Sequence, residues 1–240
     1  MTISRHDWER YIRRLSRVSA TAAKAMQAYM TASRNRSVEE LIRYAYSLTT
    51  RYGEAAAALA CEMYDSIAAA SGASVAAAEP AEVATVSEVS AAVRAVQVES
   101  PSLLPAVAER MVKRVAADTT LKNAIRDGAE FAWVPHGDTC AFCVTLASNG
   151  WQLASRKALK GGHAEHIHSN CDCEYAIRFD DRTNIAGYNP DKYLQEYEDA
   201  SDGSWRDKVN AMRRDRYAEN ADAINAQKRA AYAARKEAGG

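Results

Sequence analysis

The residue types able to do chemistry crowd into one stretch of this chain. Four of its five cysteines and three of its five histidines fall between Cys140 and Cys173. The first half is a Cys140-Ala-Phe-Cys143 knuckle, and the second is His166-Ile-His168-Ser-Asn-Cys171-Asp-Cys173. A tight C-x2-C turn brings two sulfurs to one side, so thiolates and imidazoles in this number and spacing suit a tetrahedral zinc ion. The expected ligands are Cys140 and Cys143 with two of His168, Cys171 and Cys173. Which second-half residue is spare stays open. His166 is then a supporting or surface group. In an extended segment His166 and His168 point one way, as do Cys171 and Cys173.

The cluster admits other uses. The cysteines could pair as disulfides after exposure to oxidising surroundings, or pack as small hydrophobes. A catalytic zinc keeps an open position and a carboxylate base nearby. His163-Ala-Glu165-His166 is neither H-E-x-x-H nor H-x-x-E-H. The match fails by one residue, which on a helix rotates a histidine by about 100°. A Cys–His nucleophile pair explains such dense thiols less well than a shared ion does. Ser148, Ser155, His136 and Asp138 lie near the cluster, but their spacing carries no triad signal. Glycine-rich phosphate loops are absent, and Gly161-Gly162 is a turn signal only. The cluster reads as a structural staple, with no catalytic residue assigned.

The rest of the chain must position this staple. Its formal net charge is zero with 26% charged residues, so no global signature of a nucleic-acid or membrane binder exists. No run of about 18 apolar residues could span a bilayer. The segment Met1-Thr-Ile-Ser-Arg-His-Asp-Trp8 lacks the features of a signal peptide. Assembly in a cytoplasm follows, where reduced thiols favour metal. Nothing in the sequence points to a small-molecule substrate.

Helical signals dominate. Trp8, Ile12, Leu15, Ala22, Met26 and Tyr29 form one apolar seam, broken only at Ser19. A capping box, Ser37-Val-Glu-Glu40, opens a second helix carrying Leu41, Ala45, Leu48, Tyr52, Ala55, Leu59 and Met63. Joined by the polar turn 34–36, the two predict a long antiparallel hairpin. Its length calls for a further partner, because two thin helices cannot cover each other on all sides. An Ala/Ser/Val-rich stretch near 71–86 reads as a flexible linker. A short helix with Val89, Val93 and Val96 follows, then a helix from about Leu103 to Arg126 with Val107, Met111, Val115 and Leu121 on one face. Phe131–Val134 and Glu174–Phe179 read as strands flanking the cluster, and Trp133 and Trp151 as a small core beside it. Asn189 caps a helix with Pro190 at its first position and Tyr193, Leu194 and Tyr197 on its apolar side. From Ser204 onward the chain reads as one polar, mildly basic, Ala-rich solvated helix with a fraying end.

The expected fold is mainly α with a small α+β metal-stapled module. Residues 1–98 form the helical arm, 99–188 a helix plus the Cys/His module, and 189–240 the C-terminal helices.

Beyond spacing, the residues resemble a family. Trp133-Val-Pro-His-Gly-Asp-Thr-Cys-Ala-Phe-Cys143, Leu146-Ala-Ser-Asn-Gly150, His166-Ile-His-Ser-Asn-Cys-Asp-Cys173 and Asn189-Pro-Asp-x-Tyr193-Leu-x-x-Tyr197 are similar to segments of tailed-phage minor capsid proteins. These are of the Mu F-like head-morphogenesis group, in the form found in actinobacterial phages and prophages. The resemblance covers about sixty residues well. It implies a virion protein of the phage head, assembled in the host cytoplasm. Its implied partners are the portal and the major capsid and scaffold proteins, with a possible contact to packaged double-stranded DNA. The alternative it implies is a capsid maturation protease.

Overall fold

The computed structural model describes residues 2–33, 35–136, 139–155 and 173–238. Strand β1 (Thr2–Ile3) leads into helix α1 (Arg5–Ala32), capped by the Ser4 side chain, which accepts from the Asp7 N–H. Helix α2 (Val38–Ser71) starts at the expected capping box: Ser37 Oγ accepts from Glu40 N, and Ser37 N donates to Glu40 Oε2. Its end is the left-handed residue Gly72, a conformation that suits glycine. At the turn between the helices, Tyr29 stacks on Tyr44 with ring centroids 3.8 Å apart, and the Arg36 guanidinium lies over the Tyr29 ring.

The hairpin's missing partner comes from its own chain. After α3 (Val86–Glu99) and a 3-10 turn (Pro101–Leu103), helix α4 (Leu104–Asp127) packs extensively against both α1 and α2. A helix lying in that groove is covered over most of its circumference, with Lys122 and Arg126 exposed. Besides the expected face, it buries Ala108, Val112, Ala116, Ala117 and Ala124, together with Lys113, Thr119, Thr120 and Asn123. Val107, Met111, Val115 and Leu121 are buried as expected, and the buried surface is wider than that face. The seams of the hairpin shift for the same reason. In α1, Ser19 is fully buried beside the apolar residues and donates its hydroxyl to Ser16 O. In α2, Ala55 is exposed, while Ala56, Ala60, Tyr64 and Ile67 face the core shared with α1 and α4.

The stretch 73–85 connects α2 to α3 without regular structure, yet polar side chains of α4 hold it. Ala81 N donates to Thr119 Oγ1, and Glu79 is paired through its backbone with Asn123. Arg126 donates to the carbonyls of Ala76 and Ala77, and Lys122 to that of Pro80. From the α2 side, Asp65 Oδ1 accepts from Ala78 N. This strap explains why α4 buries Thr119 and Asn123, since each satisfies a backbone group of the strap.

Beyond α4, strand β2 (Glu130–Val134) forms a three-stranded antiparallel sheet with β3 (Gln152–Leu153) and β4 (Glu174–Arg178), β2 being central. Helix α5 (Ala141–Ala147) lies between β2 and β3. Strand β5 (Asn184–Ile185) pairs parallel with β1, which ties the N-terminus to the cluster's downstream side. Helices α6 (Pro190–Asp199), α7 (Trp205–Glu219) and α8 (Ala221–Ala238) complete the chain. The single C-terminal helix expected from Ser204 is thus two helices, broken at Asn220, whose carboxamide and backbone N–H both donate to Arg216 O.

Candidate metal centre

Each half of the cysteine cluster is delivered by a strand of the same ladder. The β2–β4 register pairs Val134 with Glu174. Cys173 therefore enters at the end of the ladder from which β2 leaves toward Cys140. The ladder is held by apolar cross-strand packing. Trp133 and Tyr175 meet edge to face with centroids 4.6 Å apart, and both are buried. At its other end, Arg178 Nε donates to the carboxylate of its register partner Glu130, and its guanidinium lies over the Trp151 ring.

Cys140 sits at the N-cap of α5, with extended backbone, where a side-chain acceptor is wanted. Its sulfur accepts from Cys143 N at 3.4 Å, which turns the knuckle so that the two Sγ atoms lie 3.4 Å apart. A disulfide between them would need about 2.05 Å. Two thiolates on one tetrahedral zinc, at about 2.3 Å each, would stand roughly 3.8 Å apart. The two sulfurs are in contact, and both cysteines are reduced thiols. Cys140 is half-buried, and Cys143 and Cys173 are buried within the large core that also holds β2 and β4.

The surroundings fix this pair. Ala141 and Val144 of α5 pack against Val209 and Met212 of α7, with Tyr193 and Tyr197 of α6 alongside. Leu194 faces solvent instead, correcting its placement on the apolar side of that helix. Asn189 caps α6 as expected, accepting from Asp191 N. Burial raises the Tyr193 hydroxyl above its ordinary range, with Cys173 as a further cause. Tyr188, buried and donating to Ala147 O, locks the end of α5. Of the two tryptophans, Trp133 is part of the main core rather than a separate small one, and Trp151 packs half-buried against Tyr188.

Among the described residues no group of three or more His, Cys, Asp or Glu converges to hold a metal. His163, His166, His168 and Cys171 lie outside the described residues, as does Asp138. Ser148, weighed above for nucleophilic chemistry, donates its hydroxyl to Thr145 O within its own helical turn. Sequence reasoning missed the packing roles of Tyr175 and Tyr188. Tyr175 alternates with Glu174 and Ala176 in a strand buried on both faces, so no period-two pattern marks it.

A protein-family model described as VG15 protein matches residues 2–200. The chain belongs to the VG15 protein family. It is a phage protein. The match to the VG15 family runs from β1 through α6, so it takes in the cysteine knuckle and helix α6 beside it, while α7 and α8 lie beyond it. No curated protein and no solved structure matches the chain. Among the described residues of this VG15-family chain, no helix is long and apolar enough to cross a membrane.

Proposed function

We propose that this phage protein is a minor capsid protein of the head-morphogenesis type, resident in the virion head. It works there with the portal and the major capsid and scaffold proteins during assembly and DNA packaging or delivery. Its knuckle carries a structural zinc ion held by Cys140, Cys143 and two of His168, Cys171 and Cys173. The observation that carries the zinc reading is the Cys140–Cys143 sulfur pair, 3.4 Å apart at the end of the ladder where Cys173 also enters. Zinc would supply a cross-link between the two halves of the cluster. The chain's own residues set the sulfurs' spacing, through the α5 N-cap, and their burial, through α6 and α7.

The assembly role is supported by membership of a phage family and by the resemblance of the cluster and α6 segments to minor capsid proteins. It is tested by quantitative mass spectrometry of purified particles from a phage carrying this gene. The protein should be present at low copy beside portal and capsid protein, and its deletion should abolish normal heads. Its absence from particles that contain both other proteins would remove the reading. Cleavage of the capsid protein on co-expression, stopped by one Ser, His or Cys to Ala change, would replace it with the maturation protease. Zinc is tested by elemental analysis of protein purified under reducing conditions, with about one ion per chain expected for four ligands.

A further inference from the structure

An open trough of 810 Å³ runs along the outer face of α2, walled on its other side by the strap. Its lining on α2 extends from Tyr46 to Asp65, a rise of about 28 Å at 1.5 Å per residue. Small side chains form much of it, with Ala57 and Ala58 on α2 facing Ala78, Ala81 and Ala84. The charged residues lining it are all acidic: Glu54, Glu62, Asp65 and Glu82. Glu62 pairs with Arg14, and Asp65 accepts from the strap. Glu54 and Glu82 are exposed and make no ion pair among the described residues. The trough is therefore shaped for a slender helix and biased toward a basic one.

Such a helix exists in this chain. α8 has 18 residues, so its length is about 27 Å, the length of the trough. Eight of those residues are alanine, which keeps the helix slender, and four cations stand against two carboxylates. Among the described residues α8 packs extensively on no other element, and its described side chains other than Ala221 are exposed. Lys228 and Arg229 stand on it as exposed cations.

We propose that α8 of one copy seats in the α2–strap trough of a second copy, with Lys228 and Arg229 meeting Glu54 and Glu82. The contact joins different surfaces of the two molecules, so it propagates head to tail rather than closing as a two-fold dimer. It is a small interface, suited to copies held close together on a larger assembly.

Cys61, half-buried in the trough, provides the probe. The full-length chain with Asn225→Cys, a position between Lys228 and Arg229 on the same face of α8, is treated with diamide and run without reductant. Bonded dimers and longer species are expected, and they should disappear when Cys61→Ala is added. They should also fall at least several-fold with Glu54→Lys/Glu82→Lys, and return when Lys228→Glu/Arg229→Glu is placed in the same chain. A bond formed within one chain, no bond to Cys61 at all, or bonding indifferent to the charge reversals would each overturn the proposal. Circular dichroism of each variant separates loss of contact from loss of fold.

Discussion

The carboxamide of Asn123 pairs with both backbone polar groups of Glu79: Oδ1 accepts from its N–H at 2.9 Å, and Nδ2 donates to its carbonyl at 2.8 Å. A side chain on a helix here does what a neighbouring strand would do. Asn123 is fully buried, so its loss strips both backbone groups of Glu79 of their protein partner. Asn123→Leu should destabilise the protein by about 2–3 kcal/mol, read as a lowered denaturation midpoint. Thr119→Val, which removes one acceptor for Ala81 N, should have a smaller effect of about 1–2 kcal/mol. Equal stability of wild type and Asn123→Leu would show that the strap contributes nothing.

At Gly53, α2 closely approaches both α4 and the strap. A β-carbon there would stand 3.1 Å from Val115 Cγ2 and 3.2 Å from Val83 Cγ1. Gly53→Val should destabilise by about 1–3 kcal/mol through overpacking. Val83→Ala in the same chain should restore part of the loss. A thermal shift series on the single and double variants decides it, and absence of any rescue would place the strain elsewhere.

Asp127 supplies an acid-sensitive latch. Hydrogen bonds from Arg126, and then from the Tyr64 hydroxyl at 2.7 Å, hold its carboxyl below the ordinary range, against the opposing effect of burial. A depressed folded value means that its contribution is present above the unfolded carboxylate range. That contribution is lost as pH falls through the lower folded value, so below about pH 4. Asp127→Asn should lower stability at neutral pH by about 1–3 kcal/mol. The difference from wild type should shrink in acid. Chemical denaturation at a series of pH values measures it, and a constant difference would exclude this latch.

For the proposed zinc, Cys143→Ser should reduce bound metal to near zero and lower the melting temperature of protein grown with zinc. Cys61→Ser, in the distant trough, should leave the metal content unchanged. A chelator should reproduce the Cys143→Ser effect in the wild type alone. Full metal content in Cys143→Ser would remove that residue from the ligand set.

The helices were legible because their signals are local. The Ser37–Glu40 box, the Asn189-Pro190 start and the apolar spacing from Trp8 to Met26 all lie within one or two turns of the features they set. The C-terminal break was not read, because Asn220 interrupts a sequence that is polar and Ala-rich on both sides. The strap was hidden for a different reason. Ala76, Ala77 and Ala78 carry no preference of their own, and their positions are set by Arg126, about fifty residues away, and by Asp65, 13 residues away. The parallel pairing of β1 with β5 is equally non-local, joining Ile3 to Ile185. At the cluster, residue type and spacing predicted the convergence of Cys140 and Cys143. The cover formed by Tyr188 and Tyr193 depends on how α6 returns across α5, which spacing does not encode.

The strap has a kinetic consequence. It has neither helical nor sheet hydrogen bonds of its own, so it becomes ordered only after α4 presents Thr119, Asn123 and Arg126 in a formed turn. Its closure therefore follows helix docking, and local opening can release it while α2 and α4 stay folded. One wall of the trough is rigid, and the other yields on a faster clock than the body of the protein.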